Sequence, residues 1–397
     1  MTVIDSAPSG MAAELVERAR RLAPVLRERS VATNASRRLP RETIDDLRAA
    51  GVLKVLQSPR NGGYGLSMRD HLDVNAALGE GCGSTAWVVG VTHAHSWMMS
   101  HFPAEAQEAT YGMNPDAFIS AVIGPRGRAV RTDGGWRLSG VWPFASGSEN
   151  ADWLFLGAMM VDGDQELGPA EFLLPTTSAR YRDDWHTTGL TGTGSCTLEV
   201  HDLFVPDAFH LPMVELATGA SPGAVLQTEG WNHRAAAIPV LILALAGPAL
   251  GIARRALADF PSVIGKKTIA YTDTVQAEHT TTHLHIAEVA ALIDEAHFHL
   301  YRAADDIDRA ARNGVPLELL VRARIRSDCA EAARQCLEAV ELMWRDTGGS
   351  GLYTTNPLGR ALADLQAMNV HGGLMLDSAR EIYGRVLMGL DPQAPLL

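Results

Sequence analysis

The sequence predicts a mainly α fold with a central β domain: an N-terminal helical domain over 1–114, a small β-barrel over 115–222 and a C-terminal four-helix bundle over 223–397. Three observations predict it. Helix-type apolar spacing with Gly and Pro punctuation marks the first part, short β-branched segments between turn signals mark the second, and long helical runs joined by short loops mark the third. At 397 residues the chain is long enough for two or three domains that share a large core.

In the first part, LPRETIDDLRAAGV places Pro40 in a first turn, repeats Ile44, Leu47 and Ala50 at helical spacing, and stops at Gly51. The glycine-bearing loop SPRNGGYGL follows. A small-residue helix around GCGSTAWVVGVTHAHSWMMSHF comes next, its Ala and Gly permitting close packing. In the second part, FISAVIG, RAVRT, WRLSGVW, WLFLGAMMV, EFLLP and TLEVHDLFV read as separate strands. Asp133-Gly134-Gly135 and Asp162-Gly163 supply turns, and a small antiparallel barrel or sandwich fits. In the third part, a helix from Gln276 to about Arg312 ends at Asn313-Gly314. Pro316 starts another, which runs to about Asp346 and stops at Thr347-Gly348-Gly349.

Composition removes several function classes. The net charge of -12 opposes binding to phosphate backbones, so nucleic acid is not an expected partner. Cys82, Cys196, Cys329 and Cys336 stand far apart with no CxxC spacing, which points to reduced thiols and a cytoplasmic protein rather than a zinc or disulfide framework. The start, MTVIDSAPSGMAAEL, lacks the pattern of a signal peptide. Residues 235–253 carry no charge and approach a membrane span in length. Their Ala, Gly and Pro content favours a helix buried at the centre of a bundle, so no membrane partner is expected. His283 with His285, and His297 with His299, have a spacing that puts the members of each pair on different helix faces, so no metal site is expected. IGKKT lacks the leading Gly of a phosphate loop, because Phe260 stands there, and no GxGxxG follows a strand.

The order of helices, β domain and bundle resembles that of the acyl-CoA dehydrogenases, as do three segments in the right sequence: LPRETIDDLRAAGVLKVLQSPRNGGYG, WHTTGLTGTGSCTLEVHDLFVP and TGGSGLYTTNPLGRALADL. Many of those enzymes carry a catalytic Glu in the late loop. Laid without gaps, that position is Thr355, whose hydroxyl is far too weak a base. The β domain also lacks their usual flavin-cradling loop, running IGPRGRAVRTDGGW instead. SGVWPFASGSENADW and LADLQAMNVHGG instead resemble a sister branch, the flavin-dependent monooxygenases that receive reduced flavin from a separate NAD(P)H-flavin reductase. An acyl-CoA dehydrogenase-type flavin desaturase is the alternative reading, and a non-catalytic scaffold the second.

The resemblance implies a cytoplasmic homotetramer, or homodimer, that hydroxylates an aromatic or heteroaromatic small molecule of phenol, indole or polyketide type. Molecular oxygen would be the co-substrate and FADH2 or FMNH2 (FAD or FMN once oxidised) the cofactor, acting through a flavin C4a-hydroperoxide. Ser146 falls where dehydrogenases keep a Thr at the flavin N5 edge; its plain alternative is a turn serine. His371 is the expected group that polarises the substrate or moves a proton. His93 and His95 lie on the small-residue helix, and by helical pitch at most one faces the pocket. Phe144 is expected beside the flavin ring, and the Gly192, Thr193, Gly194 turn beside the flavin or the substrate entrance, with a β-turn that holds no ligand as its alternative. Lys266 or Lys267 is expected at its diphosphate, with a solvated lysine pair as the alternative. The family often has Arg-Asp where this chain has Ala363-Asp364.

Overall fold

A computed structural model describes residues 10–394 and 397. Most of the segment read above as unlike a leader lies outside the described residues. The first helical part comprises α1 (Gly10–Ser36), α2 (Arg41–Ala49), α3 (Met68–Gly79), α4 (Gly83–Met99) and α5 (Ala104–Tyr111). Pro40 stands one residue before α2 as its cap, and Gly51 takes the left-handed conformation (φ 70°) that ends the turn after it. Ser67 and Asp70 close a reciprocal capping box at the start of α3.

Seven strands follow: β1 (Ile119–Thr132), β2 (Gly135–Ala145), β3 (Trp153–Asp162), β4 (Gln165–Pro175), β5 (Arg180–Arg182), β6 (Cys196–Pro206) and β7 (His210–Pro212). They form one sheet in the order β5-β6-β2-β1-β3-β4-β7. Two expectations are corrected here. The two segments FISAVIG and RAVRT are one strand, β1, which continues through an irregularity between Val122 and Gly127, where Pro125 has no N–H to give to a ladder. The sheet is also not wholly antiparallel, because β1 pairs with β3 in parallel. The two glycine turns connect β1 to β2 and β3 to β4 as hairpins, as their sequence requires. Trp136, Leu138, Trp142, Leu156 and Phe172 fill a core of the sheet's own.

After α6 (Met213–Thr218) the chain enters the second helical part: α7 (Ala237–Ile264), α8 (Thr280–Asn313), α9 (Leu319–Asp346), α10 (Pro357–Asn369) and α11 (Leu376–Leu387). Helix α8 starts at Thr280 rather than Gln276, where the His279 side chain accepts from Thr281 N–H. Gly314 (φ 61°) ends it. Helix α9 starts at Leu319, three residues after the expected Pro316, with Glu318 as its cap.

The uncharged stretch near residues 235–253 lies in α7, and 78% of that helix's most apolar window is buried inside the molecule. Gly251 lets α7 touch α3: a Cβ there would stand 2.0 Å from the Ala76 carbonyl oxygen. Leu72, Leu78 and Val88 from the first part pack with Leu243, Leu250, Leu300 and Val340 from the second, so both helical parts share one core. The sheet packs on this core through Ile119, Phe155, Leu173 and Leu211, and the candidate site lies where α4, the β2–β6 end of the sheet and the segment after α10 meet.

Candidate active site

The register of β2 and β6 builds the centre of the site. Ala145 pairs with Cys196 in antiparallel fashion, which puts the next residue, Ser146, opposite Ser195. Their hydroxyls lie 2.8 Å apart, and Ser195 Oγ lies 2.6 Å from Thr193 Oγ1. Ser120 donates from its hydroxyl to the Ser146 carbonyl at 2.8 Å, and Gly147 N–H donates to Thr193 O at 2.8 Å. Strand β2 is irregular between Trp142 and Ala145, and there Phe144 adopts φ 68°, a left-handed conformation unusual for a bulky residue. The distortion turns its ring out of the sheet: Phe144 is 64% exposed and meets the edge of Trp185.

Helix α4 supplies a second wall. Trp87, Val91 and His95 are spaced at i, i+4 and i+8, on one face of the helix. Trp87 donates its indole N–H to Ser146 Oγ at 3.1 Å. His95 is buried with Nδ1 2.9 Å from the Ile119 carbonyl, so Nδ1 carries the hydrogen and Nε2 is the acceptor of the neutral ring. His93 points elsewhere. Its Nε2 is 2.6 Å from Val52 O and its Nδ1 is 2.8 Å from His71 Nδ1, so Nε2 carries the hydrogen and His71 donates to His93. Burial lowers the pKa of His93 and of His95 to about 4, and lowers that of His71 well below the usual histidine value. Of the two candidate histidines, the structure brings His95 to Trp87's helix face and leaves His93 in the core. Trp97 is also a core residue, donating to Asn232 O.

His371 lies just beyond the C-terminus of α10 and meets Trp87 edge-on, ring centroids 5.4 Å apart. Gly373 N–H donates to His371 Nδ1 at 3.1 Å, so the neutral ring presents Nε2–H outward. The ring is accessible to solvent, yet surrounding protein mass lowers its pKa by desolvation. The Gly373 donor acts in the same direction, because protonating Nδ1 would set two donors against each other.

The turn at Thr191–Thr193 is held from two sides. Leu190 N–H donates to the buried Asp364 carboxylate at 2.7 Å, and Gly192 N–H donates to Ser84 Oγ at 3.1 Å. A Cβ on Gly189 would lie 1.9 Å from the Ala363 carbonyl oxygen, so only glycine lets this loop lie on α10. The Asp of the family's Arg-Asp pair thus keeps a structural role here.

Lys267 is engaged elsewhere. It donates to the Asp346 and Thr347 carbonyls at the end of α9. Lys266 is exposed. Thr355 is exposed as well, in the loop before α10. His285 lies against Asp346 and His299 against Asp328. Among the described residues, no three His, Cys, Asp or Glu gather as a metal ion would require. Trp87 and Ser195 join the candidate site without having been singled out in the sequence, and Asp364 was noted there only as half of a family pair. The spacing of Trp87 from His95 was a usable signal for the first.

A flat ring system with a polar edge fits this arrangement. Phe144 offers an exposed aromatic ring with the half-buried Trp185 beside it, and next to the sheet end Ser146 offers a hydroxyl with two protein partners, Trp87 and Ser195, among the described residues.

The family model for the acyl-CoA dehydrogenase N-terminal domain matches residues 11–113, and that for the C-terminal domain matches residues 243–375. The chain is 33% identical to the oxygenase component of an FADH(2)-dependent resorcinol hydroxylase from Rhizobium sp. (strain MTP-10005), over 96% of this chain and 95% of that one. It is 31% identical to the flavin-dependent monooxygenase oxygenase subunit HsaA of Mycobacterium tuberculosis, over 94% of each. In structure it matches XiaF from Streptomyces sp., solved with FADH2 and glycerol, at a TM-score of 0.90 and 30% identity over 98% of both chains. Such coverage at such identity decides between the sister branches: the chain belongs to the oxygenase components of the flavin-dependent monooxygenases, within the acyl-CoA dehydrogenase superfamily.

Proposed function

We propose that this monooxygenase hydroxylates a small aromatic or heteroaromatic molecule between α4 and the His371 segment. A separate NAD(P)H-flavin reductase supplies FADH2 or FMNH2. The observation that carries this reading is the convergence of Ser146 and His371 on one indole, Trp87, from different parts of the chain. Relatives named as hydroxylases of resorcinol, p-hydroxyphenylacetate and indole-3-acetate support the aromatic class.

Bound reduced flavin supplies the activation of molecular oxygen. Phe144, Ser146 and the Gly192, Thr193, Gly194 turn would hold its ring, and Lys266 is the lysine left for its phosphates. His371 donates from Nε2 to the substrate oxygen or nitrogen and so polarises it, which strengthens as negative charge develops there. His95 lines the same face with an acceptor nitrogen. Exposed Leu352, Tyr353, Val370, Leu387 and Met388 in the second helical part support assembly into a tetramer or dimer. A cytoplasmic location is part of the same reading, supported by four buried free thiols.

His371→Ala tests the proposal. Supplied with reduced FAD, oxygen and a phenol the wild type hydroxylates, the variant is expected to lose product roughly a hundredfold while oxygen uptake continues as hydrogen peroxide. His371→Asn, which retains a donor, is expected to recover part of the loss. Unchanged hydroxylation in His371→Ala would remove the assignment.

A further inference from the structure

Three hydroxyls connect the Leu190 carbonyl to the open edge of the site. Thr193 Oγ1 lies 2.8 Å from Leu190 O and 2.6 Å from Ser195 Oγ, Ser195 Oγ lies 2.8 Å from Ser146 Oγ, and Trp87 Nε1 lies 3.1 Å from Ser146 Oγ. Each hydroxyl has one hydrogen and two lone pairs. The two ends have fixed parts, since a carbonyl oxygen accepts and an indole N–H donates. With those ends set, one arrangement keeps every hydroxyl hydrogen bonded inside the protein: Ser146 donates to Ser195, Ser195 to Thr193, and Thr193 to Leu190.

The reverse arrangement gives up the Thr193 hydroxyl's bond to Leu190 O, which keeps Thr193 N–H at 3.1 Å and Trp185 Nε1–H at 3.2 Å as donors, and turns the Ser146 hydrogen out into the site. Thr193 is 1% and Ser195 4% exposed, so water does not readily replace a bond lost within the chain. In the favoured direction Ser146 already accepts from Trp87 and donates to Ser195. One lone pair remains for a ligand, and no hydrogen does.

We propose that Thr193 and Ser195 are positioning residues that polarise Ser146, so that it meets the N5 edge of the flavin as an acceptor. Reduced flavin carries an N–H at N5, whereas oxidised flavin has a bare lone pair there. An acceptor at this point attracts the first and repels the second. The hydroxyl chain therefore selects reduced over oxidised flavin, which suits a protein that takes its flavin already reduced and must let it go once oxidised. The proposal rests on the reading that Ser146 faces the flavin edge.

The test is a pair of dissociation constants, for oxidised FAD and for anaerobically reduced FAD, in the wild type and in Ser195→Ala, Thr193→Val and Ser146→Ala. Ser195→Ala frees the Ser146 hydrogen to point outward. The preference for reduced flavin is expected to fall about tenfold, the equivalent of one hydrogen bond. Thr193→Val is expected to shift the preference the same way by a smaller factor, and it is the second variant should Ser195→Ala not fold. A merely structural role would weaken both forms together, and an unchanged ratio in both variants would overturn the proposal. Ser146→Ala separates the layers. If it leaves the affinity for reduced FAD at the wild-type value, the placement of Ser146 is wrong. If it weakens that affinity while the other two variants keep the wild-type ratio, only the polarised chain is wrong.

Discussion

Trp87 and Ser146 are joined by a 3.1 Å hydrogen bond from indole to hydroxyl, which ties the middle of the site to a helix on one side and a strand end on the other. The same indole meets His371 edge-on, so one side chain sets the spacing between the two proposed reacting groups. Trp87→Phe keeps an aromatic ring against His371 and deletes the donor. One neutral hydrogen bond is worth about 0.5–1.5 kcal/mol, so the fraction of oxygen consumed that appears as product is expected to fall by roughly two- to tenfold. Parallel measurement of oxygen uptake, peroxide and product reads this directly, and an unchanged product fraction would show that the bond does not organise the site.

The lowered pKa of His371 fixes the sign of a pH effect. The neutral ring donates from Nε2 while Nδ1 accepts from Gly373. Protonation breaks that second contact and is opposed by desolvation, so the working form persists below the usual histidine pKa of about 6.5. Hydroxylation with pre-bound reduced flavin is expected to be flat above that value and to fall only at more acid pH. His371→Asn is expected to lack this acid limb. A limb that persists in His371→Asn would belong to another group.

Stability is expected to fall on mild acidification. His93, His95 and His101 are buried, and burial lowers their pKa values to about 4, about 4 and about 3. Between their unfolded value of about 6.5 and these folded values, the unfolded chain binds more protons, so stability drops as pH falls through that window. Near pH 5 each contributes a loss of roughly 2 kcal/mol. Asp308 and Asp364 act in the opposite sense, because burial raises their pKa values to about 7 and about 6, and the folded state holds their protons more readily. Three histidines outweigh two carboxyls over the lower part of the window. Denaturant unfolding at pH 7 and pH 5 should therefore show lower stability at pH 5, and equal stability would show that these rings are not neutral in the folded chain.

Asp364 carries a separate prediction. Its carboxylate holds Leu190 N–H at the base of the Thr191–Thr193 turn. Asp364→Ala leaves that buried donor without a partner, a loss of about 1–3 kcal/mol. Both the melting temperature and the affinity for flavin in either redox state are expected to fall, and Asp364→Asn, which retains an acceptor, is expected to recover much of both. This pattern differs from that of Ser195→Ala, which changes the ratio between redox states.

The order helices, sheet, helices was legible because each element carries its own local signals: Gly51 after α2, the two glycine hairpins and Gly314 after α8. Ser146 and His371 became candidates through the motifs around them. What the sequence hid depends on distant partners. Ser195 matters because the β2–β6 register sets it opposite Ser146, and no local pattern reveals a register between segments about fifty residues apart. His93 and His95 looked equivalent until His71 and Val52 claimed one and Ile119 the other. Lys267 reads as a diphosphate ligand or a solvated cation, yet the C-terminal carbonyls of α9 hold it. Strand β1 looked like two strands because its parallel neighbour β3, which carries it across the Pro125 irregularity, lies later in the chain.

The most direct test of the site is the reoxidation of reduced FAD by oxygen, followed by absorbance in the wild type and in Ser146→Ala with no reductase present. The account predicts slow reoxidation in the wild type, accompanied by hydroxylated product when a phenol is added. In Ser146→Ala it predicts reoxidation near the rate of free flavin, with hydrogen peroxide in place of product. Identical time courses and product yields in the two proteins would contradict it.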